Sequence, residues 1–155
     1  MHVTTYRIVR AEFAAAAFDG EGAREHGGRW SSPGTAVVYT SGSIPLAMLE
    51  VLVHLPAPRL LEDYRLFTLG IPARLIITFA TARLPRSWRE SPPPPEAQAI
   101  GDAWVASGRS AVLRLPSTLD PDSHNYLLNP AHKNFKRIRI GRPRRFPFDR
   151  RLGTQ

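Results

Sequence analysis

The pattern of apolar and polar positions predicts a chain built mainly of short strands. Runs rich in β-branched and aromatic residues, bounded by Gly, Pro, Ser or charged residues, are typical of strands. Such runs lie at 3–9, 36–40, 64–69, 73–79, 110–115, 134–140 and 144–148. No internal repeat is visible and helices do not alternate regularly with strands. We therefore predict a single α+β domain with central β-sheets and a few flanking helices.

The stretch SIPLAMLEVLVHL, from residue 43 to 55, predicts a helix. Ser41 or Ser43 can cap its first turn, where Pro45 is tolerated because the first helical N–H groups have no partner within the helix. We expect the helix to run to about His54 and to end before Pro56.

This helix contains a carboxylate that its other residues do not explain. Glu50 and His54 are four residues apart and share a helix face, whereas the remaining positions are almost all apolar. We therefore expect the helix to be buried. A buried carboxylate is costly unless it is paired, so a structural Arg partner and a polar pocket are both open explanations. A Glu/His metal pair is a third, weaker one, since no further ligand is evident.

Two connections and a second helix complete the prediction. Residues 18–34 form a Gly-rich connection long enough to be a functional loop. Residues 85–96 contain five of the fifteen prolines and are expected to be an extended surface connection. A helix of about three turns should follow over 96–107, weakened by Gly101 and closed by Gly108.

Composition narrows the classes of protein. A chain of 155 residues fits one domain, which we expect to span 1–155. There are no cysteines, so disulfides, thiolate metal sites and cysteine nucleophiles are excluded. No apolar run is long enough to span a membrane and the N-terminus does not resemble a signal peptide, so we expect a soluble, cytoplasmic protein.

The net charge of +8 is concentrated near the C-terminus. The segment from Lys133 to Arg151 holds nine basic residues and one acidic residue, Asp149, so it accounts for the whole excess. Such a segment attracts polyanions, including nucleic acid, acidic proteins and phosphate-bearing ligands. A solvated pair of strands with Arg-rich outer faces is the alternative, and the sequence does not decide between them.

Three residues near the predicted helix suggest a pocket. Arg29 follows two glycines, where main chain can approach a ligand and a guanidinium can grip a phosphate at two points. Tyr39 ends the strand before the helix and could offer its ring to a planar ligand. With Glu50, these groups suit an anionic, aromatic ligand that reacts through a cation-like transition state, as in glycosyl transfer and hydrolysis. Each also has a structural explanation: a surface Arg in a turn, a core Tyr and a paired Glu.

Several motifs carry a resemblance to a known family. The stretch HGGRWSSPGTAVVYTSGSIPLAMLEVLVHL closely resembles the signature of RES-domain toxins, the toxin half of RES/Xre toxin–antitoxin modules. The resemblance continues in GDAWVASGRSAVLRLPS, NYLLNPAHKNF and FPFDRRL, and so covers essentially the whole chain. RES domains resemble ADP-ribosyltransferases in fold and consume NAD by splitting the bond between nicotinamide and its ribose.

The resemblance implies roles for five residues. Glu50 matches the catalytic acid, which would hydrogen-bond a ribose hydroxyl and stabilise an oxocarbenium-like transition state. Arg29 would hold NAD through its phosphates or ribose, and Tyr39 would stack on nicotinamide; both complete the catalytic set. Arg7 would face the pyrophosphate, and Ser117 matches the Ser after which the family is named, so both join the NAD-binding set. No metal is implied.

For other residues the resemblance implies no catalytic role, and it also implies a protein partner. Asn125 and Asn129 lie in the family-like NYLLNP without a firm role, and His54 is expected to be structural. The departure from the family pattern at His132, followed by Lys133, lies outside the catalytic set. The implied partner is an Xre-like antitoxin that covers the active-site entrance. The implied acceptor of the ADP-ribosyl group is water, phosphate or a protein. A basic nucleic-acid-binding module and a non-enzymatic, antitoxin-binding module are the alternatives.

Overall fold

A computed structural model describes residues 1–55 and 62–153. Within these residues the strands are β1 His2–Arg10, β2 Val38–Ser41, β3 Tyr64–Pro72, β4 Ile76–Thr78, β5 Val112–Pro116, β6 His124–Leu128, β7 Arg139–Ile140 and β8 Arg144–Arg145. The α-helices are α1 Glu21–His26, α2 Ile44–His54 and α3 Pro95–Ser107. No helix in this part of the chain is long and apolar enough to cross a membrane.

The strands form one mixed sheet in the order β4-β5-β6-β2-β1-β3-β7, and β8 also pairs with β3. All these pairs are antiparallel except β4 with β5, which are parallel and are connected through α3. The short strand β2 therefore lies near the middle of the sheet, between β1 and β6. This confirms the predicted α+β class.

Both longer helices pack on the same face of the sheet. Side chains alternate between faces along a strand. The α2 cluster contains Ile8, Leu66 and Phe148, and the α3 cluster contains Trp104 and Leu127. The opposite face holds a third cluster, covered by the segments around residues 11–18 and 135–138; its buried members include Ala17, Val38, Phe67, Leu69, Ile71, Val112, Leu128 and Ile138.

Most of the predicted elements are confirmed. Helix α2 begins after Ser43, whose side chain accepts a hydrogen bond from the N–H of Leu46 at 3.2 Å, and it ends at His54. Pro56, expected to end it, lies outside the described residues. Helix α3 ends at Gly108, whose φ of 62° is readily adopted only by glycine.

The burial of α2 and the bounds of three predicted strands are wrong, and one of these strands, predicted over 144–148, shrinks to β8. Helix α2 is not buried all round, because Leu49 is 46% and Val53 is 56% exposed. The strand predicted over 134–140 shrinks to β7, since residues 135–137 form a 3-10 turn, and residues 73–75 likewise form a turn before β4. Strand β6 and helix α1 were not predicted: β6 lies in a motif interrupted by two asparagines, and α1 lies in the Gly-rich connection.

We expect Ser43→Ala to lower the free energy of unfolding by about 1 kcal/mol, the usual cost of losing an N-cap hydrogen bond. Urea unfolding monitored by circular dichroism measures the change. Ser91→Ala is the matched control, since this exposed serine makes no side-chain hydrogen bond among the described residues. Equal effects of the two substitutions would contradict a specific capping role for Ser43.

Candidate active site

The Glu50 carboxylate is held from the sheet below α2. Its Oε1 atom accepts a hydrogen bond from Nδ2 of Asn125 at 2.7 Å and another from Oγ of Ser117 at 3.2 Å. Both donors are neutral, so the structure favours the polar pocket over a structural Arg ion pair. Oε2 has no hydrogen-bond partner among the residues that the structure describes.

Strand register explains why these donors meet. Asn125 on β6 pairs with Ser41 on one side and with Leu115 on the other. Ser117 lies two residues beyond Leu115 and therefore points to the same face of the sheet. Its Oγ also accepts a hydrogen bond from the N–H of Leu119 at 3.1 Å, which fixes the side chain. The donors to Glu50 thus come from adjacent strands whose spacing is set by main-chain pairing.

Asn125 is the site residue whose role could not be derived from the sequence. It is 8% exposed, and its Oδ1 atom is buried without a hydrogen-bond partner in the described chain. Asn129, the other asparagine of the motif, has a local role, since its Oδ1 accepts from the N–H of Ala131 at 3.0 Å. Only the pairing of β6 with β2 and β5 separates the two roles, and that pairing is a tertiary feature.

Arg29 projects from the Gly-rich loop towards the Pro-rich connection. Its Nη1 donates to the carbonyl oxygen of Trp88 at 3.2 Å and to that of Glu90. Burial lowers the pKa of Arg29 below its ordinary value, while the nearby Glu50 and Tyr39 act in the opposite direction. The two carbonyls orient the guanidinium plane, while Nε and Nη2 make no hydrogen bond to the described residues.

The Pro-rich connection is therefore more than an extended surface segment. The indole of Trp88 stacks on Trp30 with ring centroids 5.9 Å apart. Nη2 of Arg89 donates to the carbonyl oxygen of Thr118 at 3.0 Å, next to the serine that binds Glu50. Residues 88–90 thus connect the Arg29 loop with the end of β5.

Tyr39 fixes the loop that carries Arg29. Its hydroxyl accepts a hydrogen bond from the N–H of Trp30 at 3.1 Å and shares another with Oγ of Ser31 at 2.8 Å. Burial raises the pKa of Tyr39 to about 12, although these two hydrogen bonds oppose the shift. A Cβ atom at Gly28 would lie 2.5 Å from the Tyr39 hydroxyl, so a side chain there would displace the Tyr39 ring from its hydrogen bonds.

Arg7 lies on the other face of the sheet. It alternates on β1 with Tyr6 and Ile8, which pack on the α2 side. Its Nε donates to the carbonyl oxygen of Ala17 and its Nη1 to that of Tyr39, both at 2.9 Å. Burial lowers its pKa to about 10, opposed by Asp19. The observed contacts anchor β2 from behind, and the contact of Arg7 with a pyrophosphate stays a prediction.

The basic C-terminal segment lies at the far edge of the sheet. Strands β7 and β8 pair with β3, and their arginines are exposed. Arg65 and Arg145 share the carboxylate of Asp63, while Phe148 is buried against Tyr64. Across the described residues, no group of three or more His, Cys, Asp or Glu side chains could hold a metal ion.

Comparisons with known proteins agree on one family. The model of the RES domain family matches residues 4–149. A toxin of Yersinia enterocolitica named Toxin Res is 40% identical over 148 residues, which cover 95% of this chain and 97% of that protein. A Sphingobium protein named Prs ADP-ribosylating toxin is 35% identical over 136 residues, or 86% of this chain and 84% of that protein.

A solved structure has the same fold. The crystal structure of the M. tuberculosis MbcT–MbcA toxin–antitoxin complex contains a chain that superimposes with a TM-score of 0.77. The match covers 99% of this chain and 87% of that one at 23% sequence identity. At this identity the likeness establishes the fold.

We expect Tyr39→Phe to lower the free energy of unfolding at pH 7 by about 1 kcal/mol, through loss of its hydrogen bonds. The difference from wild type should shrink between pH 10 and 12. In that range the unfolded state releases the Tyr39 proton while the folded state, with its raised pKa, retains it, so wild type alone loses this stability. Urea unfolding at pH 7, 10 and 11 measures both; a constant difference would contradict the raised pKa.

Proposed function

The chain belongs to the RES domain family, and we propose that it is an NAD-consuming toxin that cleaves the bond between nicotinamide and ribose. The observation that carries the proposal is the hydrogen bonding of the Glu50 carboxylate. One carboxylate oxygen is fixed by Asn125 and Ser117, while the other has no partner in the described chain. A carboxylate held rigidly by one oxygen can accept a hydrogen bond from a ribose hydroxyl with the other, without reorganising during the reaction.

The proposed chemistry needs negative charge at one place. When the bond between C1′ of ribose and the pyridinium nitrogen breaks, the electron pair leaves with nicotinamide and positive charge develops on the ribose carbon and its ring oxygen. A fixed carboxylate beside the ribose stabilises that charge more than it stabilises the ground state. The acceptor, which is water, phosphate or a protein nucleophile, then bonds to C1′ and releases its proton to solvent. Glu50 is the residue we assign to this stabilisation.

Arg29 supplies the opposite charge for binding. Its Nη1 is already occupied by the carbonyls of Trp88 and Glu90, so the guanidinium presents its remaining edge in a fixed orientation. Such an edge suits two oxygens of a phosphate. We assign NAD binding to Arg29, with Tyr39 both as the anchor of its loop and as the ring against nicotinamide. Ser117 joins them as the donor that orients Glu50.

The partner is proposed on the basis of the relatives. The structural neighbour is a toxin from a toxin–antitoxin complex, and the curated relatives carry toxin names. We propose that an Xre-like antitoxin neutralises this chain by covering the entrance near Glu50. The name of the Sphingobium relative is the reason to keep ADP-ribosyl transfer to a protein beside hydrolysis and phosphorolysis.

Purified protein is expected to release nicotinamide from NAD, measured by liquid chromatography with and without phosphate. Glu50→Gln should reduce the rate by about 100- to 1,000-fold, because it removes the charge that stabilises the transition state while preserving shape. The triple substitution of Arg142, Arg144 and Arg145 by Gln is the matched control and should retain wild-type release.

The control also tests a second candidate. The exposed arginines of β8 favour a nucleic-acid-binding role that does not use Glu50. No release from wild type with any acceptor, together with salt-dependent binding of duplex DNA that the triple substitution abolishes, would replace the proposed enzyme with a binding module.

Asn125→Ala should lower kcat for nicotinamide release by about 10- to 100-fold. It removes a hydrogen bond that orients the Glu50 carboxylate, which stabilises the positive charge developing on the ribose. Asn129→Ala is the matched control, because that asparagine serves a turn outside the site. Circular dichroism establishes that both variants are folded. An equal loss in the two variants would contradict a specific role of Asn125.

A further inference from the structure

One face of α3 is joined to the loop that carries Arg29. Nε2 of Gln98 donates to the carbonyl oxygen of Gly28 at 3.1 Å. One turn further along the helix, Oδ1 of Asp102 accepts a hydrogen bond from the main-chain N–H of Ser32 at 2.9 Å. Its Oδ2 accepts one from the Ser32 hydroxyl at 2.5 Å. These contacts bracket Arg29 on both sides along the chain. Positions 98 and 102 are four residues apart and so share a helix face.

Gly101 lies between them and allows the loop to approach the helix. A Cβ atom there would lie 1.9 Å from the carbonyl oxygen of Trp30, far below any tolerable contact. Glycine is among the poorest helix-forming residues, so its presence here needs another reason. The loop main chain that follows Arg29 directly occupies the space which this glycine leaves.

The loop is fixed on its other side by Tyr39, whose hydroxyl bonds to Trp30 and Ser31. Asp102 is suited to its place as an anion. Burial would raise its pKa, but hydrogen bonds from Ser32 and Thr35 outweigh that effect and hold the pKa below its ordinary value. The carboxylate therefore stays charged at neutral pH and binds both polar groups of Ser32.

We propose that this face of α3 is the platform that sets the position of Arg29, and that Asp102 is a positioning residue for NAD binding. The inference rests on the proposed function only for the identity of the substrate. The platform itself is inferred from the contacts between α3 and the loop. Arg29 itself makes no hydrogen bond to α3 among the described residues, so Asp102 acts through the main chain of the loop. Its loss should displace Arg29 without removing any group that contacts substrate.

Steady-state kinetics of nicotinamide release tests the proposal. Asp102→Ala should reduce kcat/KM by about 10- to 100-fold, mainly through KM, since a misplacement of about 1 Å has effects of this size. Asp102→Asn should restore most of the activity, because an amide can accept the Ser32 N–H and donate to its hydroxyl. Asp149→Ala, an exposed carboxylate paired locally with Arg151, is the control and should match wild type.

A double-mutant cycle separates positioning from general damage. If Asp102 acts through Arg29, adding Asp102→Ala to Arg29→Ala should change kcat/KM by no more than about twofold. Full additivity of the two losses would overturn the proposal, as would an Asp102→Asn variant as impaired as Asp102→Ala. Should Asp102→Ala not fold, Ser32→Ala takes its place in the cycle, since it removes only the hydroxyl contact.

Amide hydrogen exchange keeps this inference distinct from the proposed function. Faster exchange at residues 28–32 in Asp102→Ala than in wild type, measured without NAD, supports the platform even if wild type releases no nicotinamide, in which case the proposed function alone fails. Unchanged exchange at these residues would overturn the platform whether or not the protein cleaves NAD.

Discussion

The fixing of one carboxylate determines how the site is arranged. Glu50 projects from a helix whose other side chains are mostly apolar, and a buried carboxylate needs donors nearby. The donors come from the sheet, through Asn125 and Ser117. Helix α2 must therefore hold one position over β1 and β2 for Glu50 to reach these donors. Leu46 and Ala47 are buried by this placement, whereas Leu49 on the opposite side remains exposed to solvent.

Strand β2 connects this carboxylate to the other half of the site. Although it has four residues, it is paired on both sides, by β1 and by β6. Tyr39 projects from its α2 side to hold the Arg29 loop, and Arg7 binds the Tyr39 carbonyl from the opposite side. These bonds all involve one short strand. The position of Arg29 relative to Glu50 is therefore fixed by the main chain of β2 and its neighbours. Preorganisation of this kind is what electrostatic catalysis requires.

The sequence predicts those features that depend on local chemistry. The cap at Ser43 and the glycine end of α3 follow from helix termini, and the motifs identified the family correctly because they extend over nearly the whole chain. Strand β6 was missed because His124 and Asn125 begin it and Asn129 follows it, so that only three apolar residues stand in a row. The role of Asn125 and the support of the Arg29 loop by α3 depend on residues about 70 positions apart, and periodicity carries no information about such pairs.

The net charge is separated from the chemistry of the site. The basic strands β7 and β8 lie beyond β3, whereas Glu50 is bonded to Asn125 on β6, which lies on the other side of β2. Three strand spacings between β2 and β7 amount to about 14 Å, which exceeds the Debye length of about 8 Å at physiological ionic strength. The exposed arginines of that edge are therefore screened from the carboxylate. Charge in the candidate site comes from Arg29 and Glu50, so the excess of +8 describes the basic edge of the sheet and not this site.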